Sequence, residues 1–402
     1  MSTSRMPVGR PHAPPPPYLP PDPKSAPRSV LRLATDPARR SDKKDRKRAP
    51  IGYVLNRDVA HLKPVLDEIL ELERFGFDVH VFFVDRNFPG YARWIAHEVS
   101  ERRIEHLHAH LATVDVARHV KRLTHIGYSF TLAGPNPFAA GPDLTSLRDH
   151  AREADFVVAP SETSRRELLS AMGPAMAGRV FRIYRGVDVE RFPFSPEAGR
   201  QADAILAAGP LVQASGFDDL IDAIAILRDR RPERIRLTIA GAGPSAPKLK
   251  ATITARHLED RVELVAADNE SNTHPTLTDL MRVHAIMALP YRRLPGSCDG
   301  AVPAVLLEAM AMGLPVVSTS LDGMREIIDD GWNGRLITPR QPHWLAGALE
   351  TLLDNVRLRV RIATNAREDV EQSFNQAVNA SELARLLSMA AVEHRTCARE
   401  VV

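Results

Sequence analysis

Short apolar runs alternate with stretches of helical periodicity from residue 51 to about residue 375. Ile51–Leu55 is followed by a helical pattern from His61 to Phe75 and by a second apolar run, Val79–Val84. Gly76 lies between that helix and the second run, where a helix C-cap is expected. A strand, a helix and a second strand in this order predict a βαβ unit with a right-handed crossover.

The alternation occurs in two halves, on either side of a short polar stretch. Two halves of this kind predict an α/β protein with two doubly wound, Rossmann-like parallel sheets. A chain of 402 residues agrees with two domains of about 150 residues each. We predict a first domain over residues 50–194, a hinge over 195–203, a second domain over 204–375 and a C-terminal helix over 376–402.

Residues 1–49 differ from the rest of the chain in composition. The first fifty residues contain twelve prolines and twelve Lys or Arg but only four Asp or Glu. Such a segment buries too little apolar surface to offset its chain entropy, so we predict a disordered, Pro-rich basic tail. The basic cluster Arg39–Arg48 allows three hypotheses: a solvated linker, attraction to anionic lipid, or nucleic-acid binding. Aromatic residues make up only 5% of the chain, so nucleic acid is not an expected partner.

Several other classes of protein are not predicted. The longest apolar runs are shorter than the ~18 residues that span a bilayer, and the N-terminus has no apolar signal region. His and Cys pairs at metal-ligand spacing are absent, as is a P-loop lysine. The turn Gly241-Ala242-Gly243 lacks the third glycine of a nicotinamide site. We therefore expect no metal or other cofactor, and a cytoplasmic protein, with peripheral binding at the inner face of the membrane as a further hypothesis.

The stretch from Val302 to Pro339 carries the most specific pattern. An apolar helix with one carboxylate, Glu308, precedes the turn Gly313-Leu314-Pro315 and the β-branched run Val316–Thr319. A second helix then leads to the turn Asp330–Gly334. This stretch resembles the nucleotide-sugar half-site of the family 4 retaining glycosyltransferases, whose GT-B fold has two Rossmann-like domains that face each other across a cleft.

Further segments resemble the exopolysaccharide-biosynthesis members of that family. They are His106–Thr113, Phe156–Ser161, Gly186–Asp188 with Arg191 and Phe192, Gly216–Ile221, and Leu237–Pro244. Their order and spacing cover residues 51 to about 375. The resemblance therefore implies a GT-B fold over most of the chain.

The resemblance also implies a set of donor-binding residues. Glu308 would accept hydrogen bonds from the ribose hydroxyls of the donor. The backbone N–H groups of Val305 and Leu306, in the first turn of the same helix, would face the donor pyrophosphate. Gly300 stands where the family has an acid that contacts the sugar, and the neighbouring Asp299 is a candidate substitute.

The sequence departs from the family in several other places. Gly209, which ends the first strand of the donor domain, is followed by Pro210 where an Arg that holds the diphosphate is expected. The loop to Ser215 lacks the expected Lys. In the first domain, the loop after Phe130-Thr131 has no His, and Asn136 is the candidate that remains. Substitute cations are Arg292, Arg293 and Arg185, which fall near predicted strand ends. His108 and His110 are expected to be structural.

Two functions follow from this pattern. The first is a retaining glycosyltransferase that moves a sugar from a nucleotide diphosphate sugar to a lipid-linked or polysaccharide acceptor, in cell-surface or exopolysaccharide biosynthesis. No side chain stands out as a general base, so the catalytic residues are left unassigned. The alternative is a catalytically inactive, glycosyltransferase-like regulatory or scaffolding protein, which the missing polar residues favour.

Overall fold

The computed structural model describes residues 50–56, 62–84, 89–132, 144–231, 235–266, 276–294 and 302–400. The predicted tail, residues 1–49, lies outside the described part of the chain. Two parallel sheets of six strands each are flanked by helices, so the predicted α/β class is confirmed.

The first sheet has the strand order β2-β1-β3-β4-β5-β6, and every neighbouring pair is parallel. Its strands are β1 (Pro50–Asn56), β2 (Asp78–Val84), β3 (His106–His110), β4 (Gly127–Thr131), β5 (Val157–Ala159) and β6 (Val180–Arg182). Its helices are α1 (Leu62–Arg74), α2 (Pro89–Arg102), α3 (Val114–Thr124), α4 (Thr145–Glu153) and α5 (Glu162–Met172). The predicted βαβ unit from Ile51 to Val84 is confirmed.

The second sheet has the order β12-β11-β10-β7-β8-β9, again with parallel neighbours. Its strands are β7 (Gln201–Ala208), β8 (Arg236–Ala240), β9 (Val262–Val265), β10 (His284–Leu289), β11 (Val316–Thr319) and β12 (Arg335–Ile337). Its helices are α6 (Phe217–Arg230), α7 (Ala246–Ala255), α8 (Leu277–Val283), α9 (Ala304–Ala311), α10 (Asp322–Arg325), α11 (Pro342–Asp354) and α12 (Val356–Ser373). Strand β7 begins three residues before the predicted start of the second domain.

The last helix, α13 (Gln376–Glu400), returns to the first sheet. Leu383 and Leu387 of α13 are buried in the same apolar cluster as Ile51 and Leu55 of β1 and Ile69 of α1. The preceding helix α12 packs against α9 of the second sheet. The chain therefore crosses between the two sheets twice. Among the described residues, no helix is long and apolar enough to cross a membrane.

Two polar contacts join the two halves. The guanidinium of Arg367 on α12 donates to the carbonyl oxygens of Phe192 (2.7 Å) and Ala311 (2.8 Å), which ties the segment between the sheets to α9. The carboxylate of Glu326, which follows α10, accepts hydrogen bonds from the backbone N–H groups of Glu162 (2.6 Å) and Thr163 (2.7 Å) at the start of α5. The carboxylate thus caps a helix that belongs to the other sheet.

Candidate functional site

Helix α9 presents one carboxylate from an otherwise apolar sequence. Pro303 precedes the helix with extended backbone angles, and Leu306, Leu307 and Met310 are buried against the second sheet and its helices. Glu308 is the one charged residue of the helix and is half-buried. Because its neighbours on the helix fill the core, the carboxylate is held at the core's edge.

The backbone N–H groups of Val305 and Leu306, which are predicted to face a diphosphate, differ in their hydrogen bonding. Val305 and Leu306 both lie in the first turn of α9, as expected. The N–H of Leu306, however, donates to the carbonyl oxygen of Pro303 at 3.1 Å. The N–H of Leu306 is therefore not free in this structure, because the bond tightens the first turn of the helix, and its contact with a diphosphate stays a prediction.

The loop after β7 is closed by its own hydrogen bonds. Gly209 has a φ of +144°, and its N–H donates to the carbonyl oxygen of Ala240 at the end of β8. The hydroxyl of Ser215 donates to the carbonyl oxygen of Pro210 at 2.6 Å, and Ser215 is buried. The two positions where the resemblance predicts cations thus hold a proline and a hydroxyl that is bonded to the loop's own backbone.

Two of the three substitute cations are paired with carboxylates. Arg292 binds Asp219 (2.7 Å) and Asp218 (3.0 Å) at the start of α6, and its side chain is only 9% exposed. Arg293 lies 3.2 Å from a carboxylate oxygen of Asp322 and is exposed to solvent. Binding a phosphate through Arg292 would require breaking this buried pairing, which carries a large cost.

Three predicted site residues, Asp299, Gly300 and Asn136, lie outside the described residues. Their proposed contacts with the donor sugar stay predictions. Within the described ranges, no group of three or more His, Cys, Asp or Glu side chains could hold a metal ion.

The third substitute cation, Arg185, is affected by the charges of carboxylates from both halves of the chain. Burial lowers the pKa of Arg185, and the charges of Glu308, Glu68 and Asp67 act in the opposite direction. Glu308 belongs to α9 of the second sheet, whereas Glu68 and Asp67 belong to α1 of the first. The charge of Glu308, the carboxylate predicted to bind the donor ribose, thus acts on a cation from the first half.

Glu68 is the carboxyl with the most altered acidity in this cluster. Burial raises the pKa of Glu68 to about 7, although the hydrogen bond from Tyr53 and the charge of Arg185 lower it. The hydroxyl of Tyr53 on β1 donates to Glu68 Oε1 at 3.0 Å. At neutral pH, a substantial fraction of Glu68 is therefore protonated.

A row of histidines lies on the same face of the first sheet. His106 Nε2 and His108 Nδ1 both lie 2.8 Å from the hydroxyl of Ser129, and His108 Nε2 lies 2.9 Å from that of Thr131. His106 and His108 are fully buried. Burial lowers the pKa of His108 well below its ordinary value and that of His110 to about 4. These bonds support the prediction that His108 is structural.

Sequence reasoning missed Glu68, Tyr53 and Glu326. A signal was present for Glu68, because it lies three residues after Val65 and four before Leu72, on the apolar side of α1. A carboxyl on an apolar helix face is unusual and points to a buried partner. For Glu326 no local signal exists, because its partners on α5 are more than 160 residues away in the sequence.

The part of the chain that contains Glu308 is similar to a known protein family. Residues 202–355 match the family model Glycosyl transferases group 1. This part of the chain contains the candidate residues Gly209, Arg292, Arg293, Val305, Leu306 and Glu308, whereas Arg185 lies before it.

Two curated relatives extend the similarity beyond that domain. The chain is 32% identical over 223 residues to the amylovoran biosynthesis glycosyltransferase AmsK of Erwinia amylovora, with 54% of this chain and 53% of the relative covered. It is 32% identical over 206 residues to the putative colanic acid biosynthesis glycosyltransferase WcaL of Escherichia coli K12, with 50% and 49% covered. The chain thus spans about half the length of these relatives.

A solved structure matches both halves of the chain. Anabaena Alr3699/HepE in complex with UDP superposes with a TM-score of 0.68 and 21% identity, and 85% of this chain and 100% of that one are covered. The predicted GT-B fold is therefore confirmed.

Proposed function

We propose that the protein is a glycosyltransferase that uses a nucleotide diphosphate sugar as its donor. The observation that carries the proposal is the position of Glu308, which is half-buried on an otherwise apolar helix of the part of the chain that matches the group 1 model. A carboxylate in this setting is a bidentate acceptor for the two hydroxyls of a ribose. The UDP complex of a protein with the same fold supports this class of donor.

The acceptor is a hydroxyl of a lipid-linked or polysaccharide chain, and the anomeric configuration is retained. Support comes from the relatives named for amylovoran and colanic acid biosynthesis, both of which are polysaccharide assembly systems. In the reaction, the bond between the sugar's anomeric carbon and the diphosphate breaks and a bond to the acceptor oxygen forms. The acceptor's proton passes to the departing diphosphate, so a side chain that acts as base is not required.

Thermal unfolding with nucleotide diphosphates and nucleotide sugars of uridine, guanosine and adenosine tests the donor site. A ligand with a dissociation constant of about 100 μM, added at about 3 mM, should stabilise the protein by about 2 kcal/mol. Glu308→Ala should abolish the shift, whereas Glu263→Ala, at an exposed position on β9, should retain it. A Glu308→Ala variant with full affinity and full transfer activity would show that the donor site is wrongly assigned.

The second candidate is a glycosyltransferase-like protein without turnover, which binds a nucleotide or a partner and regulates or scaffolds other enzymes. The closed loop from Pro210 to Ser215 favours it, because a cation that would stabilise the leaving diphosphate is missing from that loop. Loss of one such electrostatic donor costs about 3 kcal/mol in the transition state. Complementation of a strain that lacks the protein distinguishes an enzyme from a scaffold. A Glu308→Ala scaffold should still restore the biological function, whereas a Glu308→Ala enzyme should not.

We also propose that the basic tail holds the protein at an anionic membrane surface, on the cytoplasmic side where nucleotide sugars are available. Each basic residue near such a surface contributes about 1 kcal/mol. Sedimentation with vesicles that contain anionic phosphatidylserine, a lipid of the cytoplasmic leaflet, should capture the full chain. Replacing Lys43, Lys44 and Lys47 with Glu should release it, and equal binding by both proteins would reject the idea.

A further inference from the structure

A cavity of about 630 Å³ lies where the two halves of the chain meet α12 and α13. One wall is the segment 182–184 at the end of the first sheet, and another is the segment 325–333 of the second half. The junction of α12 and α13 supplies Phe374 and Asn379 as a third wall. Small-molecule sites commonly have volumes of about 300–1,000 Å³ and lie between domains, so this junction cavity has the size and position of a binding site.

The walls of the junction cavity are held in place by hydrogen bonds. The side chain of Asn379 donates to the carbonyl oxygen of Tyr184 at 2.8 Å, which joins α13 to the segment after β6. The side-chain amide of Asn333 donates to the carbonyl oxygen of Ile327 at 2.9 Å and to Asp369 Oδ2 at 2.7 Å. The cavity is therefore formed before a ligand binds, so little conformational freedom is lost on binding.

Trp332 lines the junction cavity, and 52% of its surface is exposed to solvent. Its backbone is fixed, because its N–H donates to the carbonyl oxygen of Asp329 at 3.0 Å and its carbonyl oxygen accepts from the side chain of Asn365 at 3.0 Å. Within the described ranges, the indole N–H has no hydrogen-bond partner. An aromatic ring on a fixed backbone offers a large contact area to a ligand at a low cost in side-chain entropy.

Two further polar groups of the junction cavity have no partner in the part of the chain that the structure describes. The carboxylate of Asp329 makes no hydrogen bond or ion pair there, although the backbone N–H of the same residue donates to Asn333 Oδ1 at 2.8 Å. The hydroxyl of Ser373, at the end of α12, is likewise unpaired. These groups can accept hydrogen bonds from a ligand that carries hydroxyl groups, and the serine can also donate one.

The charge of the junction cavity disfavours an anionic ligand. Its charged side chains are four carboxylates and two guanidinium groups, namely Glu326, Asp329, Asp369, Glu382, Arg182 and Arg325. One of the two cations is already engaged, because Arg182 stacks over the ring of Tyr184 and donates to its hydroxyl at 3.2 Å. An excess of negative charge repels phosphate groups, so a nucleotide is not the expected ligand and an uncharged, hydroxyl-rich molecule fits better.

We propose that the junction cavity binds an uncharged sugar residue of a glycan chain, with the ring of Trp332 stacked against one face of the sugar. A pyranose has an apolar face of C–H groups and a rim of hydroxyl groups, which match an aromatic ring among polar side chains. The hydroxyl groups bond to the carboxylate of Asp329 and to the hydroxyl of Ser373. Glycan binding needs no turnover, so the inference goes beyond the proposed function and holds for an enzyme and for a scaffold.

Calorimetric titration of the full chain with neutral di- and trisaccharides of glucose, galactose, mannose and fucose tests the proposal. The wild-type protein should bind at least one of them, and should bind it more tightly than a matching saccharide that contains a uronic acid. Trp332→Ala should weaken this binding by about tenfold or more, because the apolar contact with the ring is lost, and Trp332→Phe should recover part of the loss. Asp329→Ala should weaken it by about tenfold, since a hydrogen bond to a charged group is lost.

Trp344→Ala is the matched control. Trp344 lies on α11, is 69% exposed and does not line the junction cavity. This variant also removes an exposed indole, but it should bind the saccharides as the wild type does. Glu308→Ala should keep saccharide binding too, and Trp332→Ala should keep the thermal shift with nucleotides, because Glu308 does not line the cavity. The melting temperature of each variant without ligand shows that it is folded.

The outcomes separate the glycan site from the donor site. The glycan site is rejected if the wild-type protein binds none of the saccharides, if Trp332→Ala binds them equally well, or if Trp344→Ala loses as much affinity as Trp332→Ala. Tighter binding of spermidine than of any saccharide would also overturn it, because the carboxylates would then form a cation site. Saccharide binding that depends on Trp332, in a protein that shows no thermal shift with nucleotides, would support the glycan site and reject the proposed donor site.

Discussion

Glu326 joins the two halves of the molecule through the N-terminus of α5. Its carboxylate accepts from the N–H of Glu162, from the N–H of Thr163 and from the hydroxyl of Thr163, at 2.6, 2.7 and 2.6 Å. Ser161 caps the same helix through a hydrogen bond from the N–H of Ser164. The carboxylate therefore interacts with free N–H groups and with the positive end of the helix dipole.

We predict that Glu326→Ala destabilises the protein by about 2–3 kcal/mol. A hydrogen bond to a charged group contributes about 1.5–3 kcal/mol, but the three bonds are only partly buried, so water can replace part of what is lost. For domains of about 150–250 residues this corresponds to a fall in Tm of roughly 4–12 °C. Glu326→Gln should lose less, because the amide keeps one acceptor oxygen.

Thermal unfolding measures the loss of stability in Glu326→Ala, and small-angle scattering measures whether the two halves separate. The melting temperature reports the lost bonds, and a larger radius of gyration reports separation of the two halves. Glu382→Ala is the control, because Glu382 is partly exposed on α13 and pairs with Arg385 on its own helix. A Glu326→Ala protein that melts within about 1 °C of the wild type, with unchanged dimensions, would refute the role given to this contact.

Buried groups and one strained glycine give three further predictions. Burial lowers the pKa values of His108 and His110, so below a pH of about 6.5 the unfolded chain binds more protons than the folded protein, and the free energy of unfolding should fall as the pH drops. Urea titrations at several pH values measure this dependence, and the free energy of unfolding of His108→Gln should vary less with pH than that of the wild type. Gly216→Ala should cost about 1–3 kcal/mol in urea unfolding, since its φ is +68° and a Cβ would overlap the carbonyl oxygen of Pro290. Arg359→Ala should cost about 3–5 kcal/mol by the same measurement, because the buried guanidinium binds Glu197 at 2.6 Å.

Sequence patterns predicted β1 and β2 because each of these strands is a local run of apolar residues. The β-branched run Val316–Thr319 forms β11 with the same bounds. These features depend on neighbours within a few positions. The helix expected after Thr319 is a single turn, Asp322–Arg325, because Ile327 and Ile328 leave it to enter the core.

The candidate site was only partly predictable, because its contacts join distant parts of the chain. Glu308 was identified from the surrounding apolar helix, but no local pattern indicates that the charge of Arg185, more than 120 residues earlier, acts together with it. Arg292 fell near a strand end as expected, yet its pairing with Asp218 and Asp219 depends on how α6 packs. Charge pairs over more than 70 residues leave no periodic pattern in the sequence.

The return of α13 to the first sheet has a consequence for how the protein is made. Leu383, Leu387 and Ala390 complete an apolar cluster whose other members, such as Ile51 and Phe77, are synthesised more than 300 residues earlier. Domains fold in the order of their synthesis at about 5–20 residues per second. The first sheet must therefore wait, with one face uncovered, until the ribosome has translated the whole second half. During that interval of roughly 15–60 seconds, the nascent chain offers an apolar surface to which a chaperone can bind.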